Sequence, residues 1–219
     1  MIIFKLTTKM LLGYNVVSRK AKYGYGGGKM DVQQDLEENK EQSEKLFKAY
    51  KDVIFAATQG KINLLNYRDS ISIASEGILC MNFLLEQPEH VTLARQRIID
   101  MLTQKKNLLH RLDKIELCVS EAATNVIKHA KHGEIQVRAL GDMIRIIVWD
   151  RGPGMDYDRL PYMLLLKGYS TKNSLGLGFS LISKYADRVQ LSTSKFGTFL
   201  FIEFNVENKI NDISISSSY

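Results

Sequence analysis

Between residues 111 and 131 the chain reads R-L-D-K-I-E-L-C-V-S-E-A-A-T-N-V-I-K-H-A-K, and two overlapping periodicities in that run constrain everything around it. Leu112, Ile115, Val119, Ala122, Val126 and Ala130 recur at three- and four-residue steps, the repeat of a helix that buries one face. A second stripe, Glu121, Asn125 and either Lys128 or His129, keeps the same steps, so a carboxylate, a carboxamide and a basic group line one polar edge. Gly133, just past the last periodic residue, reads as a helix stop. Taken alone, Glu121 and Asn125 read as the solvated side of an amphipathic helix.

The segments around this helix alternate between two periods. Residues 71–74 and 78–85 read as strand, and Pro88 then opens a helix whose inner face is Val91, Ala94, Ile98 and Leu102. After the central helix come two strands, residues 134–140 and 143–150, joined across Gly141-Asp142. Residues 156–178 read as loop with a short apolar insert at 162–166, residues 179–186 as helix, and residues 188–193 with 198–206 as a hairpin around Lys195-Phe196-Gly197. Strands in neighbouring pairs, with helices between the groups, predict an α+β two-layer sandwich: a mostly antiparallel sheet with helices on one face. Upstream, residues 33–59 predict a strong helix closed by Gly60, with a seam of Leu46, Tyr50, Val53 and Ala57 suited either to homodimerisation or to docking on the sheet domain. Residues 61–69 read as a connection.

The expected divisions are a basic tail (1–29), an N-terminal helical extension (30–68), the main domain (69–206) and a loose tail (207–219). The tail explains the charge: Lys5, Lys9, Arg19, Lys20, Lys22 and Lys29 precede Met30 with no acid among them, which equals the whole net charge of +6. The rest of the chain sums to zero, so no nucleic-acid partner is inferred. The run Y-G-Y-G-G-G-K resembles a translated purine-rich ribosome-binding sequence, which makes Met30 the expected native start. Cys80 and Cys118 have no metal-type spacing and sit in apolar patterns, so both are expected to be buried reduced thiols in a cytoplasmic protein. No apolar run approaches the roughly 20 residues of a membrane span, and no secretory signal is evident.

Two glycine motifs follow the central helix. The apolar strand M-I-R-I-I-V-W ends in D-R-G-P-G, which makes Asp150 a part-buried carboxylate in need of a partner and lets backbone at Gly152 and Gly154 pass close beneath a flat ring. Further on, S-L-G-L-G-F leads straight into a helix, so Gly176, Leu177 and Gly178 offer backbone N–H groups at its positive end, a favourable place for phosphate oxygens. No G-K-[S/T] follows, so this is not a P-loop.

In order and approximate spacing these three segments resemble the N box, G1 box and G2 box of the GHKL (histidine-kinase-like) ATPase superfamily. The compact form, with G-Y-S-T before L-G-L-G and a closing F-G-T, is most similar to the anti-sigma-factor serine/threonine kinases of the RsbW/RsbT type. The resemblance covers residues 78–206 and implies the Bergerat ATP-binding fold. It implies that Glu121 is the general base and Asn125 the Mg2+ ligand, that Asp150 accepts a hydrogen bond from the adenine amine, and that Thr198 helps hold adenine through its hydroxyl and a water. His129 and Lys128 contact phosphate or cap the helix end, with the cap favoured for Lys128. Ser170, Thr171 and Lys172 fall in the segment corresponding to the ATP lid, within reach of the outer phosphates. Some relatives carry an Arg just before the second glycine motif; Asn173 and Ser174 stand there in this chain, which makes Lys172 the substitute to test.

The implied activity is transfer of the γ-phosphate of Mg-ATP to Ser or Thr of a STAS-domain anti-anti-sigma protein, the unphosphorylated complex switching a sigma factor. The rivals are an ATP-gated module that sequesters its partner without catalysis, against which Glu121 argues, and a detached sensor-kinase domain phosphorylating His. His90 and His110 are isolated in the sequence, and nothing reads as a helix pair presenting a phosphoacceptor His.

Overall fold

A computed structural model describes residues 29–130, 132–166 and 178–206. In chain order its elements are α1 (Lys29–Ala57), β1 (Ile62–Leu64), α2 (Tyr67–Ser75), β2 (Ile78–Leu85), α3 (Pro88–Thr103), a 3-10 turn (Lys106–Arg111), α4 (Leu112–His129), β3 (Gly133–Leu140), β4 (Met143–Asp150), a second 3-10 turn (Tyr157–Arg159), α5 (Leu160–Leu165), α6 (Gly178–Tyr185), β5 (Arg188–Ser194) and β6 (Gly197–Asn205). The strands form one six-stranded sheet in the order β1-β5-β6-β4-β3-β2. Only the β1–β5 pair is parallel. Gly141, at φ +54°, makes the tight turn between β3 and β4 that the sequence signals.

The helical face follows the predicted stripes. α4 buries Ile115, Cys118, Val119, Ala122, Ala123 and Val126, and α3 buries Ala94, Ile98 and Leu102. Both pack against each other, and α6 packs along α4. The Arg111 guanidinium, at the start of α4, lies 5.3 Å over the Phe204 ring, so this layer covers the side of the sheet that carries Ile144, Ile146, Ile202 and Phe204.

The opposite side of the sheet is partly covered too, by an element whose sequence pattern predicts a strand. Ile71 and Ile73 alternate with period two, yet residues 67–75 are helical: the Asn66 side chain caps the helix by accepting the Asp69 N–H at 2.9 Å. Ile73 and Ala74 then pack with Leu65 and Phe199 on Ile147 and Phe201, residues that point away from the α4 side. Arg145, 4% exposed, fastens the end of α2 by donating to the Ile73 carbonyl at 3.0 Å and to Glu76 at 3.0 Å. Its Nε meets Glu203 at 2.8 Å, Gln190 donates to that same oxygen at 3.0 Å, and the other Glu203 oxygen faces Arg188 at 3.6 Å.

Two further expectations change. Residues 61–69 are more than a connection, because Ile62 and Leu64 are buried in β1 beside β5. Cys80 is exposed, since β2 is an edge strand whose register shifts between Leu79 and Met81; Cys118 is buried as expected. The chain divides into two compact units, residues 1–49 and 50–219. In the first, α1 carries an exposed Glu41–Lys45 pair at 2.8 Å. In the second, Ile54 is fully buried while Val53 of the predicted seam is 55% exposed. Gln59 (φ +52°) and Gly60 (φ +79°) end that helix, with the Gly60 N–H bonded back to the Phe55 carbonyl at 2.8 Å. Among the described residues no helix is long and apolar enough to cross a membrane.

Candidate functional site

The polar edge of α4 meets a glycine at each end of its working length. At one end lies Gly178, the first residue of α6: a Cβ there would sit 2.7 Å from Glu121 Oε2 and 3.8 Å from Asn125 Nδ2. Glu121 and Asn125 are half-buried, one turn apart, and they converge on the start of the following helix. Gly176 and Leu177, like Ser170, Thr171 and Lys172, lie outside the described residues.

At the other end α4 stops at His129, where the Ala130 N–H bonds to the Val126 carbonyl at 2.8 Å. Gly133 has another task than the predicted helix stop. It is the first residue of β3, paired with Asp150, and a Cβ on it would lie 2.5 Å from the Trp149 carbonyl oxygen and 2.6 Å from Val126. This close approach brings the end of β4 against the end of α4. Buried Gly152 fits for the same reason, since its Cβ would sit 2.8 Å from Ala130 and 3.0 Å from Asp150 Oδ1. Gly154, at φ +74°, passes so near the Ser194 carbonyl that no side chain fits.

Asp150 is thereby held half-buried at the strand end. Its Oδ1 accepts the Gly152 N–H at 2.7 Å, and the Thr198 N–H also reaches the carboxylate. Burial pushes its pKa up from 3.8, against the opposing pull of those two N–H groups and of His129. His129 and Lys128 are exposed on the last turn of α4. Thr198 is buried, and its hydroxyl shares a 3.3 Å hydrogen bond with Thr193.

Thr193 and Gly197 also belong to this candidate site, and the sequence does not single them out. The Thr193 hydroxyl accepts the Met155 N–H at 2.7 Å and its backbone carbonyl accepts the Tyr157 hydroxyl at 3.1 Å, so one residue ties the segment after Gly154 to the β5–β6 hairpin. Gly197, at φ +127°, lies directly against the Asp150 carbonyl. The F-G-T motif was the available signal for Gly197; nothing local to Thr193 distinguishes it from any β-branched strand residue.

Along α4 the nine residue steps from Glu121 to Ala130 rise by about 13 Å. The edge therefore offers two chemically different stations: a carboxylate and an amide beside a helix start, and, about 13 Å away, a buried acceptor beside glycine backbone. The first suits phosphate with a cation, the second a flat base carrying an amine donor. Cys118, on the buried side of α4, has its thiol pushed up to about 12 by burial, which keeps it protonated and inert.

Several known proteins are similar to this chain. The sequence model of the histidine kinase-like ATPase domain matches residues 84–203. The serine-protein kinase RsbW of Bacillus pumilus is 27% identical over 146 residues, which span 60% of this chain and 89% of the relative. The anti-sigma F factor of Oceanobacillus iheyensis is 31% identical over 125 residues, 52% of this chain and 83% of the relative. Among solved structures, a chain of the SiaB–SiaC complex from Pseudomonas aeruginosa aligns over 63% of this chain and 94% of its own, at 11% identity and a TM-score of 0.48. The matched segment holds Glu121, Asn125, Asp150, Gly178 and Thr198 and takes in more than half of the 219 residues, and the chain belongs to the histidine kinase-like ATPase domain family.

Proposed function

We propose that this chain is an ATP-dependent serine/threonine protein kinase of the anti-sigma-factor type, acting on a STAS-domain antagonist in a partner-switching module. The observation that carries the reading is the convergence of Glu121, Asn125 and Gly178 at one station of α4, with Asp150 and Gly152 at the other. The names of the relatives, a serine-protein kinase and an anti-sigma factor, support the class of activity.

Asp150 accepts the exocyclic amine of adenine, and a guanine, with a carbonyl at that position, leaves two acceptors facing each other. Gly152 and Gly154 let the ring lie against backbone. At the phosphate end, Gly178 and the start of α6 give the outer phosphates N–H groups and a favourable dipole. The amide oxygen of Asn125 fits a hard cation that takes its remaining ligands from phosphate and water, so this residue would hold Mg2+, whose charge offsets that of the phosphates when bound. Glu121 takes the proton of the partner's hydroxyl as that oxygen bonds to the γ-phosphorus and the bond to the ADP oxygen breaks. Lys172, with Ser170 and Thr171, is assigned to the outer phosphates, and Lys128 to capping the end of α4.

Labelled ATP, magnesium and a candidate STAS protein test this directly. Acid-stable phosphate on the STAS protein, lost in Glu121→Gln with ATP affinity kept, is the expected result. Tight ATP binding without any transfer would make the chain a nucleotide-gated binding module, and acid-labile phosphate would make it a histidine kinase.

A further inference from the structure

Where α4 begins and α6 ends, an open cleft of about 430 Å3 is lined by Lys61, His110, Arg111, Lys114, Lys184 and Asp187. Four permanent cations face one carboxylate there, a net charge of +3. The cleft is not the nucleotide site: Arg111 precedes Glu121 by ten residues, about 15 Å along the helix axis.

Three of the cations are partly occupied: the Lys184 ammonium lies 5.0 Å over the Tyr185 ring, and Arg111 and Lys61 make hydrogen bonds. The Arg111 guanidinium donates to both Asp187 oxygens, at 2.7 and 3.0 Å, and to the Tyr185 carbonyl at 3.1 Å. Its charge is matched and it forms a fixed wall. Lys61 gives one proton to the Lys184 carbonyl at 3.1 Å, which closes the end of α6 and leaves two N–H groups. Capping α6 accounts for those two bonds and for nothing at Lys114 or Lys184. Among the described residues no carboxylate comes within ion-pair distance of Lys61, Lys114 or Lys184, although Lys61 and Lys114 are half-buried. The start of α4 has no side-chain cap, so the positive end of its dipole, offset in part by Asp113 in the first turn, adds to the same field.

The lining also says what kind of anion fits. A carboxylate side chain is best gripped by a guanidinium fork, and the one fork here is taken by Asp187. What remains are compact ammonium charges around a volume near the lower end for small-molecule sites, suited to several phosphate oxygens close together. Lys61, one residue before β1, lies outside the segment that the ATPase family model matches.

We propose that this cleft binds a small, multiply charged phosphate compound at a site separate from the nucleotide. Tripolyphosphate is the probe, titrated calorimetrically into the full chain with the nucleotide site filled by saturating AMP-PNP. One site should remain, weakening steeply with salt. Lys114→Gln with Lys184→Gln should lower its affinity at least about tenfold, as expected for losing two charge-assisted contacts, with AMP-PNP affinity unchanged. Exposed Lys184→Gln alone, with a smaller loss in the same direction, keeps the test open should the double variant unfold. Equal binding by wild type and both variants, or no binding once AMP-PNP is present, overturns the assignment. A short polyglutamate peptide that binds where tripolyphosphate does not would overturn it in favour of an acidic polypeptide.

Discussion

Asp150 and Asp187 stand at opposite ends of the layer built by α4 and α6, and their carboxyls are pushed opposite ways. Burial dominates at Asp150 and raises it; two backbone N–H groups and His129 recover only part of the cost. Burial also acts on Asp187, but there the Arg111 hydrogen bond, the Asn205 N–H at 2.7 Å and the charges of Arg111 and Lys61 outweigh it and hold the carboxyl below 3.8. One end keeps an under-compensated acid that a ligand can satisfy, and the other commits its acid to the fold. Under the proposed function, the sign of the shift separates a carboxylate held for adenine from one used in construction.

The largest disturbance to this contrast is Gly197→Ala. Its Cβ would run into the Asp150 carbonyl at a backbone angle that side chains avoid, so stability should fall by about 3 kcal/mol and adenine binding disappear, both readable by urea denaturation with and without ATP. Next comes Asp150→Asn, which should cost on the order of 100-fold in ATP affinity by calorimetry while leaving the unliganded protein more stable at neutral pH. The native pKa of Asp150 lies above its unfolded value, so its carboxylate costs stability as pH rises through the native pKa; below 3.8 variant and wild type should melt alike.

Gly178→Ala sharpens the phosphate end. The new Cβ meets only the tip of the Glu121 side chain, which can swing aside, so the fold should persist while phosphotransfer drops about tenfold with a smaller change in ATP affinity. The smallest effect is expected from Asp187→Asn. A lowered pKa gives stability that is fully present above 3.8 and lost as pH falls through the native value. Removing it should therefore cost under about 1 kcal/mol at neutral pH, given the partial exposure, and nothing in strong acid. The released Arg111 should tighten tripolyphosphate binding about twofold to threefold.

How much of this was legible in the sequence depended on distance along the chain. The α4 stripes, the two glycine motifs and the β3–β4 turn are local patterns, and the helix, the strand ending at Asp150 and the hairpin lie where those patterns put them. α2 was misread because period two in Ile71 and Ile73 looks like a strand until Leu65, Ile147 and Phe201 supply the surface on which it packs. Cys80 was misread because an apolar run says nothing about whether its strand is an edge. Gly133 reads as the stop of the helix before it, whereas its demand for space comes both from Trp149 on the neighbouring strand and from Val126 of that helix. The basic cleft was hidden altogether, since Lys61, Arg111 and Lys184 meet only once β1, α4 and α6 are assembled.

The Arg145–Glu203 pair sets the smallest piece of this protein worth expressing. A fragment trimmed to residues 84–203 would drop the Ile73 carbonyl and Glu76, two of the acceptors through which Arg145 fastens α2 to the sheet. It would also uncover Ile147 and Phe201 to water. Recombinant work on the catalytic unit should therefore begin upstream of β1, because the recognisable part of the sequence is shorter than the part that can stand alone.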